Sequence, residues 1–382
     1  MAQAAVKRRR IFLLITTPKK DGPGKVFLNV VKNLDLRKYD VYAGFLYGRG
    51  ELEEELRPYV KGLFNARQRG PLNGWLDAFA AGRLRAYLKD NGIELVNSHL
   101  VRANIFGWLA GRRLGVPVVP TVQNLEYHYQ PRNPVERLIR RLEGLVFRDA
   151  PSVICSSYHL KTNLEKIYSL PGNKVRVVWN GTEDIIYPRR GEAGLRAELG
   201  LAGRLVFGII ARLDPQKDIA VLLRAVNLLK GSGALAQMRF LIVGSGSQEA
   251  ELKAYVERNG LNDAVTFLGY RTDLFNIYNS LDVFVLTSRW EGFAMALVEA
   301  ASAALPIIAS DIGDHRSLIT AGWNGYLFPP GDERALAGLI AQMAAADRPK
   351  LGRASRQVFL DKFLAAHMAG RYQAVYGEVL GD

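Results

Sequence analysis

The chain has one cysteine, Cys155, among 382 residues, which excludes an internal disulfide framework and any cysteine-rich metal site. Its setting in Val153-Ile154-Cys155 reads as a buried strand, with no basic neighbour to activate a thiolate. Long apolar runs are also missing. The basic run Lys7-Arg8-Arg9-Arg10 is followed only by Ile11–Ile15, too few apolar residues for a signal-peptide core or a spanning helix. A cytoplasmic location is therefore expected. There is no Gly-x4-Gly-Lys-Ser/Thr phosphate loop, no Cys/His cluster with zinc spacing and no Asp-x-Asp pair for a divalent ion, so chemistry without a metal or bound cofactor is expected. No nucleic-acid-binding motif or interleaved surface aromatics stand out either.

What is present fits a globular protein: 48% hydrophobic and 23% charged residues, in a chain long enough for two ordinary domains. The net charge of +14 is unevenly spread, with 30 Lys/Arg against 15 Asp/Glu in residues 1–180 and 21 against 22 in residues 181–382. An excess confined to one half points either to an anionic partner for that half or to a basic solvated surface.

Short apolar runs alternate with helical patterns throughout. In the first half Ile11–Ile15, Val41–Phe45, Leu95–Val96, Val116–Val119 and Val153–Ile154 read as strands, with helices near Val26–Leu34, Leu76–Leu88, Ile105–Leu114 and Val135–Val146. A second set follows the polar stretch Asn180 to Gly194. It has strands at Leu205–Ile210, Phe240–Val243, Val265–Phe267, Val283–Leu286 and Pro306–Ala309, and helices at Ile219–Leu229, Ala250–Val256 and Met295–Ala303. Arg356 to Leu380 reads as one amphipathic helix. The expected fold class is α/β: two tandem Rossmann-like doubly wound domains facing across a cleft, over 1–185 and 186–355, with the helix of 356–382 returning to the first domain.

Chemistry concentrates in the second half. In Glu291-Gly-Phe-Ala-Met-Ala-Leu-Val-Glu299 a helix is expected to start between the two glutamates, leaving Glu291 on the approach loop and Glu299 two turns inside. The amides of Gly292, Phe293, Ala294 and Met295 would then form a seat for phosphate at the helix N-terminus. Alone, the segment is equally an ordinary loop and helix with two surface acids. Arg212 and Lys217 lie where the strand ending at Ala211 passes into a helix, a placement that suits a diphosphate. Gly244-Ser-Gly246 lacks the third glycine of a dinucleotide fingerprint and reads as a tight turn.

Together these residues resemble the retaining glycosyltransferases of family 4, which have the GT-B fold. The Glu-x7-Glu segment with its Glu-Gly-Phe core, Ala211-Arg-Leu213 with Lys217, Asn180-Gly181, Ile242-Val-Gly-Ser-Gly246 and Phe267-Leu-Gly269 match the family in order. The resemblance implies that Arg212 and Lys217 neutralise the diphosphate of a nucleoside-diphosphate sugar. Glu299 would accept from ribose hydroxyls, and Glu291 would contact the transferred sugar beside the amides of Phe293 and Ala294. The backbone near Arg271 would lie beside the base. Gly22-Pro-Gly24 occupies the place of the family's glycine-rich loop between first strand and first helix.

The sequence departs from the family at two places. Gln123 follows Thr121-Val122 where a histidine is common, and Ala294 replaces a glycine. Gln123 and Asn124 stay acceptor-side candidates, with His99 and His128 as nearby substitutes. The resemblance implies a metal-independent hexosyltransferase with a UDP-sugar favoured as donor and a lipid-linked or glycan acceptor. A nucleotide-sugar epimerase and a non-catalytic nucleotide-sugar-binding scaffold are alternatives. Arg132, Arg137, Arg140, Arg141 and Arg148 flank Val135, Leu138, Leu142 and Val146 on one expected helix, which suits peripheral contact with an acidic membrane at its inner face.

Overall fold

The computed structural model describes residues 8–68, 78–123, 133–184, 194–231 and 233–382. Asn124, His128 and Arg132 lie outside them, as does the expected helix start at Leu76. The chain divides into two compact units, Met1–Glu183 with Ala365–Asp382, and Asp184–Leu364.

The first unit holds β1 (Arg9–Ile15), β2 (Tyr39–Tyr47), β3 (Gly62–Gln68), β4 (Leu95–His99), β5 (Val118–Val122), β6 (Val153–Cys155) and β7 (Val175–Val177) in one parallel sheet, ordered β3-β2-β1-β4-β5-β6-β7. The central strands are apolar along their length because helices cover both faces: Ile11 to Ile15 are all buried, with Ile15 beside Phe45 on one side and His99 on the other. Cys155 is buried on β6. β3 and β7, unnamed by the sequence pattern, are the outer strands, where half-solvated residues blur the apolar run.

The second unit repeats the plan with β8 (Leu205–Ile210), β9 (Met238–Val243), β10 (Val265–Gly269), β11 (Val283–Leu286), β12 (Ile307–Ser310) and β13 (Gly325–Phe328), ordered β10-β9-β8-β11-β12-β13. Both sheets reverse direction of growth at one seam, between β1 and β4 and between β8 and β11. Ligands of doubly wound folds bind outside the carboxyl ends of the strands at such a seam.

Two expectations about helices change. The first helix spans Gly22–Lys32, so Gly22-Pro23-Gly24 is its first turn and not a loop; Asp21 caps it by accepting from the Gly24 amide (3.0 Å), and proline suits that turn. A β-carbon at Gly24 would lie 1.9 Å from the Lys19 carbonyl oxygen, so the glycine serves close packing. The tail is two helices, Arg348–Lys362 and Ala365–Leu380, and the units part at Leu364 and not near residue 355. Only the second of these helices joins the first unit. It packs on helix Gly22–Lys32, and Gln373 accepts from the Asp35 amide at 3.0 Å. No helix among the described residues is long and apolar enough to cross a membrane.

Candidate functional site

At the seam of the second unit, residues 211–218 leave β8 and residues 287–294 leave β11. Backbone and side chains tie the two loops together: Arg289 N donates to Gln216 O (2.8 Å), Thr287 Oγ1 to Lys217 O (2.7 Å) and Gln216 Nε2 to Trp290 O (2.9 Å). Asp218 sits in the left-handed region at φ 44° and accepts from Arg289 Nε at 2.8 Å, which holds an uncommon conformation for a non-glycine residue. The Lys217 ammonium and the Glu291 carboxylate form an ion pair, with side chains 16% and 10% exposed. Ser288 Oγ donates to the same Glu291 oxygen at 2.6 Å.

Arg212 is far more exposed, at 67%, and pairs with Asp214. Its Nη2 donates to Gln216 Oε1 (3.1 Å), while Gln216 Nε2 approaches Glu291 Oε2 (3.5 Å). Gln216 therefore links Arg212 to the Lys217–Glu291 pair. The loop bearing Arg212 is pressed against Gly244-Ser-Gly246. Leu213 N donates to Ser245 O (3.0 Å), and β-carbons at Gly244 and Gly246 would lie 1.9 Å from Ala211 O and 2.5 Å from Leu213 O. Gly244 also has φ 133°. The turn lacking a third glycine thus forms the floor under Arg212.

Helix Met295–Ser302 begins at the expected Met295, between the two glutamates, after an Ala294 that is still extended (φ −78°, ψ 106°). Glu299 is therefore one turn inside the helix and not two. No side chain caps this N-terminus, so its first amides are unclaimed by a capping group. Gly292 and Phe293 sit on the approach, with Phe293 against Phe363 at 5.6 Å. Glu299 is 8% exposed and accepts from Tyr278 hydroxyl at 2.8 Å. Tyr278 belongs to helix Leu274–Ser280, which Asp273 precedes; Asp273 accepts from Arg271 at Nε (2.8 Å) and Nη2 (2.6 Å). That pairing holds the Asp273 carboxyl at a pKa of about 2, through its hydrogen bonds with the guanidinium.

A further chain of contacts runs behind Glu291. Ser310 Oγ donates to Ser288 O (2.6 Å), and His315 Nδ1 faces Ser310 O (2.8 Å) and so carries the proton. Burial lowers the His315 pKa and keeps the ring neutral. Gln216, Ser288, Tyr278 and Ser310 went unmarked in the sequence; the one available signal was the four-residue spacing from Arg212 to Gln216.

In the first unit, Gly22 and Gly24 follow β1, His99 ends β4 and Gln123 follows β5. His99 is 0% exposed and so is not presented to a substrate in this structure. Gln123 is half-buried. Helix Pro134–Asp149 buries Ile139, Val146 and Phe147, whereas Val135, Leu138 and Leu145 are about half exposed beside exposed Arg137, Arg141 and Arg148. Val146 thus belongs to the core and Leu145 takes its place on the outer face.

Two parallel doubly wound units, of seven and six strands, are the architecture of the GT-B class of glycosyltransferases. Two family models divide the chain between them: "Glycosyltransferase Family 4" matches residues 20–184 and "Glycosyl transferases group 1" residues 204–346. The chain belongs to glycosyltransferase family 4. Among curated relatives it is 31% identical over 250 residues to the UDP-Gal:alpha-D-GlcNAc-diphosphoundecaprenol alpha-1,3-galactosyltransferase of Escherichia coli, a match spanning 64% of this chain and 65% of that one. It is 28% identical over 348 residues to the D-inositol 3-phosphate glycosyltransferase of Mycolicibacterium vanbaalenii, covering 86% and 76%. In structure it resembles Anabaena HepE, solved in complex with UDP, at a TM-score of 0.82, with 21% identity over 97% of this chain and 100% of that one.

Proposed function

We propose that the chain transfers a hexose from a UDP-sugar, with retention at the anomeric carbon and without a metal, to an envelope glycolipid or polysaccharide-precursor acceptor that carries phosphate. The observation that carries the donor half is the Lys217–Glu291 pair at the second seam, linked through Gln216 to Arg212. A diphosphate brings more negative charge to Lys217 and Arg212 than the single carboxylates they now hold. As Lys217 turns to phosphate, Glu291 stays held by Ser288 and offers its freed acceptor capacity to hydroxyls of the transferred sugar. The uncapped amides at Met295 add the partial positive charge of a helix N-terminus. Glu299, steadied by Tyr278, accepts from the ribose.

In the reaction the bond between the anomeric carbon and the β-phosphate oxygen breaks, and a bond from that carbon to an acceptor hydroxyl oxygen forms on the same face. The hydroxyl proton leaves to the departing phosphate or to solvent. Negative charge grows on the leaving oxygen, and Arg212 with Lys217 stabilises it; each such group contributes about 3–4 kcal/mol to barrier lowering.

Three observations favour an anionic acceptor at a membrane. The positive excess lies within residues 1–180. The acceptors in both curated relatives' names carry phosphate. Helix Pro134–Asp149 sets Val135, Leu138 and Leu145 among three exposed arginines, a face suited to an anionic interface.

The test is a thermal-shift panel of UDP-, GDP- and ADP-hexoses followed by assay of nucleoside diphosphate release. A bound donor raises the melting temperature by mass action, so UDP-hexoses are expected to stabilise the chain and release UDP slowly. Stabilisation by none of the three classes would remove the donor assignment; binding without release would favour the scaffold.

A further inference from the structure

The buried end of β4 carries three polar residues, Asn97, Ser98 and His99, each 0% exposed. Their hydrogen bonds leave little freedom in where the protons sit. Asn97 Nδ2 lies 2.7 Å from the Val119 carbonyl oxygen, which can only accept, and 3.0 Å from Thr121 Oγ1. Asn97 therefore faces β5 with its NH2 group and turns Oδ1 the other way. Tyr376, on helix Ala365–Leu380, donates its hydroxyl to that oxygen at 2.9 Å. His99 Nε2 lies 2.8 Å from the same oxygen and must carry a proton to meet it.

Burial drives the His99 pKa down to about 3, so the ring is neutral. A neutral imidazole with its proton on Nε2 has a bare lone pair on Nδ1. Gln123 Nε2 is 3.4 Å from that lone pair, and the opposite amide orientation would set two acceptors face to face. The ring itself cannot turn. Phe27 meets it edge-on at 5.1 Å, and Tyr372 stacks on it at 6.0 Å with planes 11° apart.

We propose that His99 is a positioning residue whose neutral Nε2–H form, set by Asn97 and Tyr376, holds the NH2 of Gln123 and presents the Gln123 carbonyl oxygen to a sugar hydroxyl. That hydroxyl donates its proton and the Gln123 carbonyl oxygen only accepts. Gln123 here does orientation without acid–base chemistry, and the C-terminal helix contributes to it from the far end of the chain. The proposal rests on the reading of the chain as a sugar transferase, and its chemical part stands apart from that reading.

The experiment has two arms on the full chain. In the first, the protein is labelled with 15N-histidine and its imidazole tautomers are read by long-range nitrogen–proton correlation, with His99→Gln identifying the His99 signal. The expected result is a neutral Nε2–H ring throughout about pH 5–8; an Nδ1–H tautomer or an imidazolium in that range overturns the proposal. The second arm follows UDP release from UDP-glucose. His99→Asn keeps an acceptor near the position of Nδ1, and His99→Gln keeps only a donor near that of Nε2. Loss of one neutral hydrogen bond predicts kcat falling about tenfold in His99→Gln and in Gln123→Leu, with KM for UDP-glucose little changed and His99→Asn retaining more of the rate. Equal rates in Gln123→Leu and wild type, or an equal loss in both His99 variants, overturn it. If wild type neither binds nor turns over UDP-hexoses while the tautomer is as expected, the failure belongs to the functional reading.

Discussion

Lys217 and Glu291 face each other across the seam of the second sheet as a nearly buried ion pair, one delivered by the loop after β8 and the other by the loop after β11. Such a pair does two jobs in turn. Without donor it neutralises two charges that would otherwise be desolvated alone, and with donor each partner is released to a different part of the ligand.

Lys217→Ala is therefore expected to show both effects. Without ligand the variant leaves Glu291 held by Ser288 and Gln216 among the described residues, at a cost of about 1–3 kcal/mol of stability measured by chemical denaturation. Transfer or donor hydrolysis should fall by hundreds-fold, as for loss of one charge-stabilising group. Glu291→Ala should chiefly lower kcat, because Glu291 is assigned to the sugar and not to the nucleotide.

Glu299 and Tyr278 make a separate prediction. Glu299→Ala should raise the Kd for UDP, and Tyr278→Phe should raise it by a smaller factor, about fivefold, because only the hydroxyl that orients the carboxylate is lost. Calorimetric titration with UDP checks both. An unchanged Kd in Glu299→Ala would remove Glu299 from the site.

Gly244→Ala tests the floor under Arg212. The new methyl group would need to occupy space 1.9 Å from the Ala211 carbonyl oxygen at φ 133°. A loss of about 2 kcal/mol or more in unfolding free energy is expected, together with weaker UDP binding through displacement of the Arg212 loop.

The first unit contains a pH-sensitive group away from these residues. Burial pushes the Glu143 carboxyl up to about 8, beside Tyr168. In the unfolded chain it ionises near its ordinary value, so between about pH 4.5 and 8 the folded state binds more protons than the unfolded state. Stability contributed by this group therefore falls as pH rises, by up to about 1.4 kcal/mol per pH unit. Buried His99 has the opposite slope below its ordinary pKa, which leaves about pH 6.5–8 as the clean window. Glu143→Gln should flatten melting temperature against pH in that window and be more stable than wild type at pH 8.

How much of this was legible in sequence follows from where each residue lies. Buried central strands such as β1 and β8 announce themselves as apolar runs, whereas β3, β7 and β13 lie at sheet edges, where only part of each strand is covered. Glu291, Glu299, Arg212 and Lys217 were singled out because they lie where a strand passes into a helix or near that helix's start, and the family resemblance supplied their expected roles. Gln216, Ser288 and Tyr278 are ordinary polar residues, and tertiary proximity alone makes them partners of those charges. His99 was visible as a residue type, but its burial was not, because Asn97 of the same strand and Gln123 after β5 satisfy its ring, and Tyr376 of the last helix in turn holds Asn97.

The membrane proposal predicts salt-sensitive sedimentation with acidic vesicles. Each arginine near an anionic surface contributes about 1 kcal/mol. Arg141→Glu with Leu138→Asp should abolish cosedimentation at low salt and leave UDP binding unchanged. No binding by the wild type to acidic vesicles would contradict peripheral membrane contact.

Diphosphate binding by the two loops at the second seam underlies every other role assigned to the site. The most direct measurement is calorimetric titration of UDP into the wild-type chain and into a double variant carrying Arg212→Ala and Lys217→Ala. The wild type is expected to give a 1:1 isotherm, and the double variant to lose affinity by about a hundredfold or more, since two charge-assisted contacts are removed. Equal affinity in the two proteins would contradict it.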